Sequence, residues 1–141
     1  MDCSVIHLPV RATEGLGNLS FLEAGVDTPF PINRIYYIFD VPAGTMRGGH
    51  AHKRLRQLLF CPNGSIEILL NDGESRLSVL LNQPNKALVI GPGLWRDMRW
   101  HTDRAVLCVA ASEHYDETDY IRNYQDFLQY KNLLKGGKQH G

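Results

Sequence analysis

An excess of charge of either sign is missing from this chain. Fifteen Lys and Arg are matched by fifteen Asp and Glu, leaving a formal net charge of zero. Without a net field there is no general electrostatic draw toward nucleic acid or an anionic membrane surface, and neither is expected as a partner. Long apolar runs are also absent. No stretch approaches membrane-spanning length, and Met1-Asp2-Cys3-Ser4 lacks the basic-then-apolar pattern of a signal peptide. Cysteine is scarce. Cys3, Cys61 and Cys108 are widely scattered, and the last two fall in apolar runs. That usage predicts buried reduced thiols in a cytoplasmic protein, with no disulfide framework. The P-loop, GxGxxG, GxSxG, HExxH and CxxC patterns are missing as well, and Gly15-Leu16-Gly17 lacks the third glycine and the βαβ context of a dinucleotide loop.

What is present is a chain of 141 residues, 43% hydrophobic and 21% charged, enough for one domain with a real core. Short apolar or alternating runs recur at Leu19–Glu23, Arg34–Asp40, Leu55–Cys61, Ser65–Leu70, Ser75–Leu81, Ala87–Ile90 and Ala105–Ser112. Between them lie Pro62-Asn63-Gly64, Asn71-Asp72-Gly73, Asn82-Gln83-Pro84-Asn85 and Gly91-Pro92-Gly93. Asn-Gly and Asp-Gly supply the positive φ angles of tight hairpins. Many short strands at this spacing predict an all-β sandwich or barrel. Only Asp116–Leu134 has helical intervals, through Tyr120, Tyr124, Phe127, Leu128 and Lys131, and Asp116–Asp119 reads equally well as loop. One domain is expected over residues 1–135. Residues 136–141 form a polar, Gly-rich tail of the composition in which a linker begins.

His50 and His52 stand two apart, so in a strand both rings project from one face. Arg47-Gly48-Gly49 precedes them, and the glycines let backbone approach a ligand closely. Tyr36 and Tyr37 must point to opposite faces, and alternation does not choose between them. Trp95, Met98 and Trp100 around Arg96 suit either plain packing or a stacking wall for a planar base. Asp116 to Arg122 reads as an acidic helix start.

Gly44, five residues, His50-Ala51-His52, four residues, Gln57, six residues and Gly64 resemble the first motif of the cupins. The resemblance implies a double-stranded β-helix, or jelly-roll, barrel closed by a short C-terminal helix. Gln57 stands where that motif carries glutamate. Arg96, in Pro92-Gly93-Leu94-Trp95-Arg96, stands where the second motif supplies histidine. Two imidazoles, a neutral amide and a guanidinium do not make a divalent-ion site, so no metal and no other cofactor is expected. His101 is the residue that could supply a third ligand.

Four segments are more specific: Arg34-Ile35-Tyr36-Tyr37-Ile38-Phe39-Asp40, Arg47-Gly48-Gly49-His50-Ala51-His52-Lys53, Gly91-Pro92-Gly93-Leu94-Trp95 and Tyr115-Asp116-Glu117-Thr118-Asp119-Tyr120-Ile121-Arg122. Together they resemble the dTDP-4-keto-6-deoxyglucose 3,4-ketoisomerases, small metal-independent cupins, over Leu19 to Tyr130. The resemblance implies a dTDP-linked 4-keto-6-deoxyhexose as substrate and its 3-keto isomer as product. That product would be aminated by a PLP-dependent enzyme, and often acylated, for surface polysaccharides such as O-antigen or S-layer glycan. It also implies a homodimer, in some members with exchanged N-terminal strands, and in some settings fusion to an N-acetyltransferase.

By the same resemblance His50, His52 and Tyr36 are catalytic and Arg47 is the cavity arginine; Lys53, Trp95, Arg96, Met98, Tyr120 and Arg122 are further expected to contact substrate. His50 is assigned as the main base, with His52 as proton shuttle or orienting partner. Tyr36 is assigned as hydroxyl donor to the enolate oxygen, with Arg47 and Arg96 stabilising negative charge. Within the family the positions of Leu16 and Arg96 bear on the configuration of the product. Arginine at the latter goes with gluco products, and Leu16 is usual for neither type. Rival readings are a metal-dependent cupin using His50, His52 and His101, a cupin epimerase on the same substrate class, and a non-catalytic sugar-binding cupin.

Overall fold

A computed structural model describes the backbone of residues 1–140 and the side chains of residues 1–136. Its strands are β1 (Cys3–His7), β2 (Val10–Thr13), β3 (Gly17–Ser20), β4 (Arg34–Ile38), β5 (Met46–His52), β6 (Gln57–Asn63), β7 (Ile66–Asn71), β8 (Arg76–Leu81), β9 (Lys86–Ile90), β10 (Trp95–Trp100), β11 (Val106–Ala111) and β12 (Tyr120–Ile121). A single helix, α1 (Tyr124–His140), follows. Two five-stranded sheets, ordered β1-β9-β6-β11-β4 and β12-β5-β10-β7-β8, carry the fold, and β2 and β3 form a separate hairpin. All strand pairs are antiparallel. The spacing of turns predicted an all-β sandwich or barrel, and the architecture is the jelly roll that the cupin resemblance implied.

Alternation decides what fills the space between the sheets. Ile66, Ile68 and Leu70 of β7, Met98 and Trp100 of β10, Leu59 and Cys61 of β6, and Leu107 and Val109 of β11 form one buried cluster. The opposite side of β6 presents Leu58, which packs with Leu8, Phe30 and Val89. Along β10, β6 and the edge strand β4 the inward positions change from apolar to polar toward one end of the sandwich. They run Trp100, Met98, Arg96 on β10, Cys61, Leu59, Gln57 on β6, and Ile38, Tyr36, Arg34 on β4. One end of the barrel is thereby dry core and the other a polar mouth.

At the C-terminal segment the structure takes the loop alternative for Asp116–Asp119. The helix does not begin at Asp116. Asp116 instead caps a 3-10 turn, Glu117–Asp119, by accepting from the Thr118 amide, and β12 follows it. Helical spacing was legible, but the short polar side chains of Asp116 and Thr118 bond locally to backbone and favour a turn over continuous helix. Of the tail expected over 136–141, the backbone of 136–140 continues α1, the side chains of 137–140 lie outside the described residues, and Gly141 is not described. The run expected at Leu19–Glu23 begins earlier, as β3, and ends at Ser20. None of the described helices is long and apolar enough to cross a membrane.

Candidate active site

β5 carries the two histidines, and a bulge sets what accompanies them. Arg96 pairs with His50, Asp97 with Gly48 and Met98 with Arg47, so β5 holds one extra residue at Gly48-Gly49. Strict alternation would turn Arg47 away from His50. The bulge restores it to the face of His50, His52 and Arg96, because cross-strand partners share a face. Gly48 takes φ of 102°, and a Cβ there would lie 2.8 Å from the Arg96 carbonyl oxygen, so only glycine fits.

His52 is 1% exposed, and its Nδ1 lies 3.0 Å from Oδ2 of Asp119, itself buried. A carboxylate only accepts, so Nδ1 carries the proton and Nε2 keeps its lone pair. That Nε2 is buried without a hydrogen-bond partner. Asp119 is anchored independently, accepting from the amides of Arg54 at 2.7 Å and Leu55 at 3.3 Å. The His50 ring stands edge-on to His52, with centroids 5.1 Å apart. Tyr120, paired with His52 across β12 and β5, packs 4.3 Å from its ring and 5.4 Å from that of His50.

Burial, then the Arg96 guanidinium, holds His50 down at about 4. The same two causes press His52 below its ordinary value, against the pull of the Asp119 carboxylate. Both imidazoles are neutral at pH 7 and can accept a proton.

Facing them across the barrel, Tyr36 points inward, while Tyr37 is 61% exposed on the outer face of β4. Gln57 Nε2 donates to the Tyr36 hydroxyl at 2.8 Å, and Arg96 donates through one terminal nitrogen to Gln57 Oε1. The other terminal nitrogen donates to the Leu94 carbonyl at 3.0 Å. Arg96 is 1% exposed, and its Nε has no partner. Arg34 lies 5.1 Å from the Tyr36 ring, and its Nε is likewise buried and free. Desolvation raises Tyr36, so the phenol stays protonated. Unused hydrogen-bonding capacity on His52, Arg96, Arg34 and Tyr36 converges on one mouth, which is what a site awaiting a polar ligand requires.

Residues 1–132 match the family described as FdtA: WxcM-like, C-terminal. A TDP-4-oxo-6-deoxy-alpha-D-glucose-3,4-oxoisomerase of Aneurinibacillus thermoaerophilus is 44% identical over 130 residues, covering 92% of this chain and 93% of that protein. The crystal structure of QdtA, a sugar 3,4-ketoisomerase of Thermoanaerobacterium thermosaccharolyticum in complex with TDP, superposes with a TM-score of 0.90. Its identity is 41%, with 94% of this chain and 96% of that one covered. A 3,4-ketoisomerase of Helicobacter canadensis gives the same TM-score at 44% identity, covering 94% and 98%. The chain belongs to the FdtA family.

In this family member the metal-holding frame of the cupins has been rebuilt. Gln57 Oε1 is committed to Arg96, and a buried guanidinium stands beside the two imidazoles, so the donor set does not fit a divalent ion. His101 does not repair it. It lies past the far end of β10, with Nε2 bonded to Glu67 Oε1 at 3.0 Å. Among the described residues no cluster of three or more His, Cys, Asp or Glu is placed to hold a metal.

The other residues expected to contact substrate divide. Tyr120 and Arg96 line the mouth, and Arg47 shares their face on an exposed stretch of β5. Arg122 lies over the Tyr120 ring at 4.1 Å and is held by Glu117 through bonds of 2.8 and 2.9 Å. Lys53 is exposed, in a shallow cleft with Arg122, Asp126 and Tyr130. Two of the expected residues lie apart from the histidines, in the packing role that the sequence also allowed. Trp95 faces away from the histidines, because alternation along β10 opposes it to Arg96. It packs on Tyr124 and Phe127 of α1, with centroids 5.2 and 5.7 Å away. Met98 shares the face of Arg96 but lies one step deeper, 6% exposed in the apolar core. A cleft of about 510 Å³ beside Trp95, lined also by Arg76, Leu77 and Asp97, opens on the outer face of the sheet and is separate from the histidines.

Sequence reasoning missed Asp119 and Arg34. Asp119 sat inside a segment that read as a helix start. Arg34 was detectable, since it stands two residues from Tyr36 in a strand.

Proposed function

We propose that this protein is an isomerase converting dTDP-4-keto-6-deoxy-D-glucose to a dTDP-3-keto-6-deoxyhexose through an enediol. The reading rests above all on the grouping of two neutral imidazoles, a protonated phenol and a buried arginine at one polar end of the barrel. The activity named for relatives sharing more than 40% of the sequence supports it. Isomerisation must take one carbon-bound proton from C3, place one on C4, and move one oxygen-bound proton from O3 to O4. His50 takes the C3 proton, acidified by the adjacent carbonyl, while the Tyr36 hydroxyl donates to O4 as the enediol forms. The O3 proton then leaves through His52 and returns to Tyr36. A gluco product carries H4 on the ring face opposite H3, so C4 takes its proton from solvent on that face while the His50 imidazolium gives its own proton back to solvent; the C3 ketone appears, and every group returns to its starting state. Arg96 stabilises the enediolate, and Arg47 and Arg122 sit where a diphosphate would pass.

The product is assigned the gluco configuration on the strength of Arg96, and its place is upstream of a PLP-dependent amination. We further propose a cytoplasmic homodimer. Ile35, Tyr37 and Phe39 are more than half exposed along the edge strand β4, and Val10 and Leu19 of the β2–β3 hairpin are also exposed. Such an apolar edge suits a second copy, including one that exchanges its N-terminal strands. The deciding experiment is incubation with dTDP-4-keto-6-deoxyglucose and a 3-aminotransferase, with NMR of the resulting amino sugar. A 3-amino-3,6-dideoxyglucose derivative is expected. Recovery of the unchanged sugar or of a C3 or C5 epimer would refute the assignment.

A further inference from the structure

We propose that Gln57 is a positioning residue that aims the Tyr36 hydroxyl proton at the substrate. Arginine has donors and no acceptor. The Gln57 atom facing the Arg96 terminal nitrogen must therefore be the amide oxygen, which turns Nε2 toward Tyr36. Nε2 is a donor, so at 2.8 Å the phenol oxygen accepts, and its own hydrogen must point elsewhere. Among the described residues no protein group accepts from it, and it is left to the polar end of the barrel, where His52 Nε2 and Arg96 Nε are also buried without partners. Gln57 is 2% exposed and held at both ends, so no water competes for the amide and a flip would set donor against donor. The Leu94 carbonyl in turn holds Arg96 from behind. The polarity of the chain Arg96, Gln57, Tyr36 thus runs one way and ends on a hydroxyl proton with no protein destination.

A glutamate at this position would undo that polarity. Both of its oxygens accept, so it would pair with Arg96 and also draw the phenol proton onto itself. The position of the lost metal ligand would then carry an amide because only an amide donates to the phenol while accepting from the arginine. This inference rests on the role of Tyr36 proposed above.

The test is a cycle of Gln57→Glu, Tyr36→Phe and the double variant, assayed with dTDP-4-keto-6-deoxyglucose. Q57E is expected to lose ~10- to 100-fold in kcat with KM changed less than ~3-fold. Its melting temperature should hold, because the carboxylate pairs with Arg96. In the Y36F background the same change should have little further effect, since the group through which it acts is gone. An equal loss in both backgrounds, or Q57E at full kcat while Y36F is impaired, overturns the relay alone. Full activity of Y36F overturns the role of Tyr36 and the relay with it. Should Q57E fail to fold, Gln57→Met fills similar volume without hydrogen bonds, and its loss of kcat must vanish in the Y36F background in the same way.

Discussion

Asp119→Asn changes one atom and tests whether the buried carboxylate sets the His52 tautomer. Asp119 accepts from three donors: His52 Nδ1 at 3.0 Å, the Arg54 amide at 2.7 Å and the Leu55 amide at 3.3 Å. Asparagine keeps the shape but has one acceptor and one donor end. If its oxygen serves Arg54, its NH2 meets Nδ1. The imidazole must then move its proton to Nε2 and lose the lone pair that faces the cavity. If its oxygen serves His52 and Leu55, the Arg54 amide confronts an N–H and is left unsatisfied at a buried site. Either outcome removes a charge-assisted bond and strands a donor, costing about 2–3 kcal/mol. In a domain of this size that lowers Tm by ~6–12 °C. Because the arrangement that keeps the backbone bond inverts the tautomer, kcat/KM should also fall ~100-fold or more. Thermal melts and steady-state kinetics on the purified variant read both. A variant melting within ~1 °C of the parent, with kcat/KM within ~3-fold, would falsify the dyad.

His50→Asn should keep the fold and lower kcat/KM by ~10²–10⁴-fold; unchanged turnover would remove His50 as the base. Because His50 is held near 4 while an unfolded histidine titrates near 6.5, the unfolded chain binds the extra proton. Its contribution to stability is full above pH 6.5 and falls as the pH drops toward 4, with about 2 kcal/mol lost by pH 5. H50N should therefore show a flatter stability profile between pH 6.5 and 5, and an unaltered slope would contradict the depressed value. Trp95→Ala should cost about 3 kcal/mol through lost packing on α1 and leave KM unchanged, whereas a raised KM with normal stability would return Trp95 to the substrate. Dialysis against a strong chelator should leave turnover intact, and activity restored only by added zinc, iron or manganese would show that the donor set had been misjudged.

The strands were legible where side-chain alternation and Asn-Gly or Asp-Gly turns spoke together, as from Ser65 to Leu81. β10 was not, because its inward row carries Arg96 at one end and its outward row carries Trp95 and Asp97, which blurs the period of two. The inward direction of Tyr36 needed the sheet, since alternation separates Tyr36 from Tyr37 without saying which side is core. The place of Arg47 needed the bulge, which two consecutive glycines permit but do not announce. Asp119 was hidden for a different reason. Its role depends on a contact 67 residues away in sequence, and local reading saw only an acidic turn.

Arg96 ties the site to the chemistry it would perform. Its side chain lies inside the barrel, and among the described residues it forms no salt bridge. Burial lowers it only to about 10, so it stays charged at pH 7. A buried cation with no anion in contact costs free energy; Gln57 and the Leu94 carbonyl offset part of that cost with neutral dipoles, and the Asp119 carboxylate acts on it from farther off. Burial first, and this cation second, depress both histidines, which keeps them basic in form yet uncharged. The site therefore sets the Arg96 and Arg34 guanidiniums against the single Asp119 carboxylate, leaving a net positive charge beside two neutral acceptors. An enediolate supplies one negative charge at the moment a histidine takes its proton. Complementarity is then greater for the intermediate than for the neutral ketone, which is the condition for catalysis rather than for binding alone. A metal would meet that condition by Lewis acidity; here a fixed guanidinium, held by the residue that replaced the metal's carboxylate, meets it by charge.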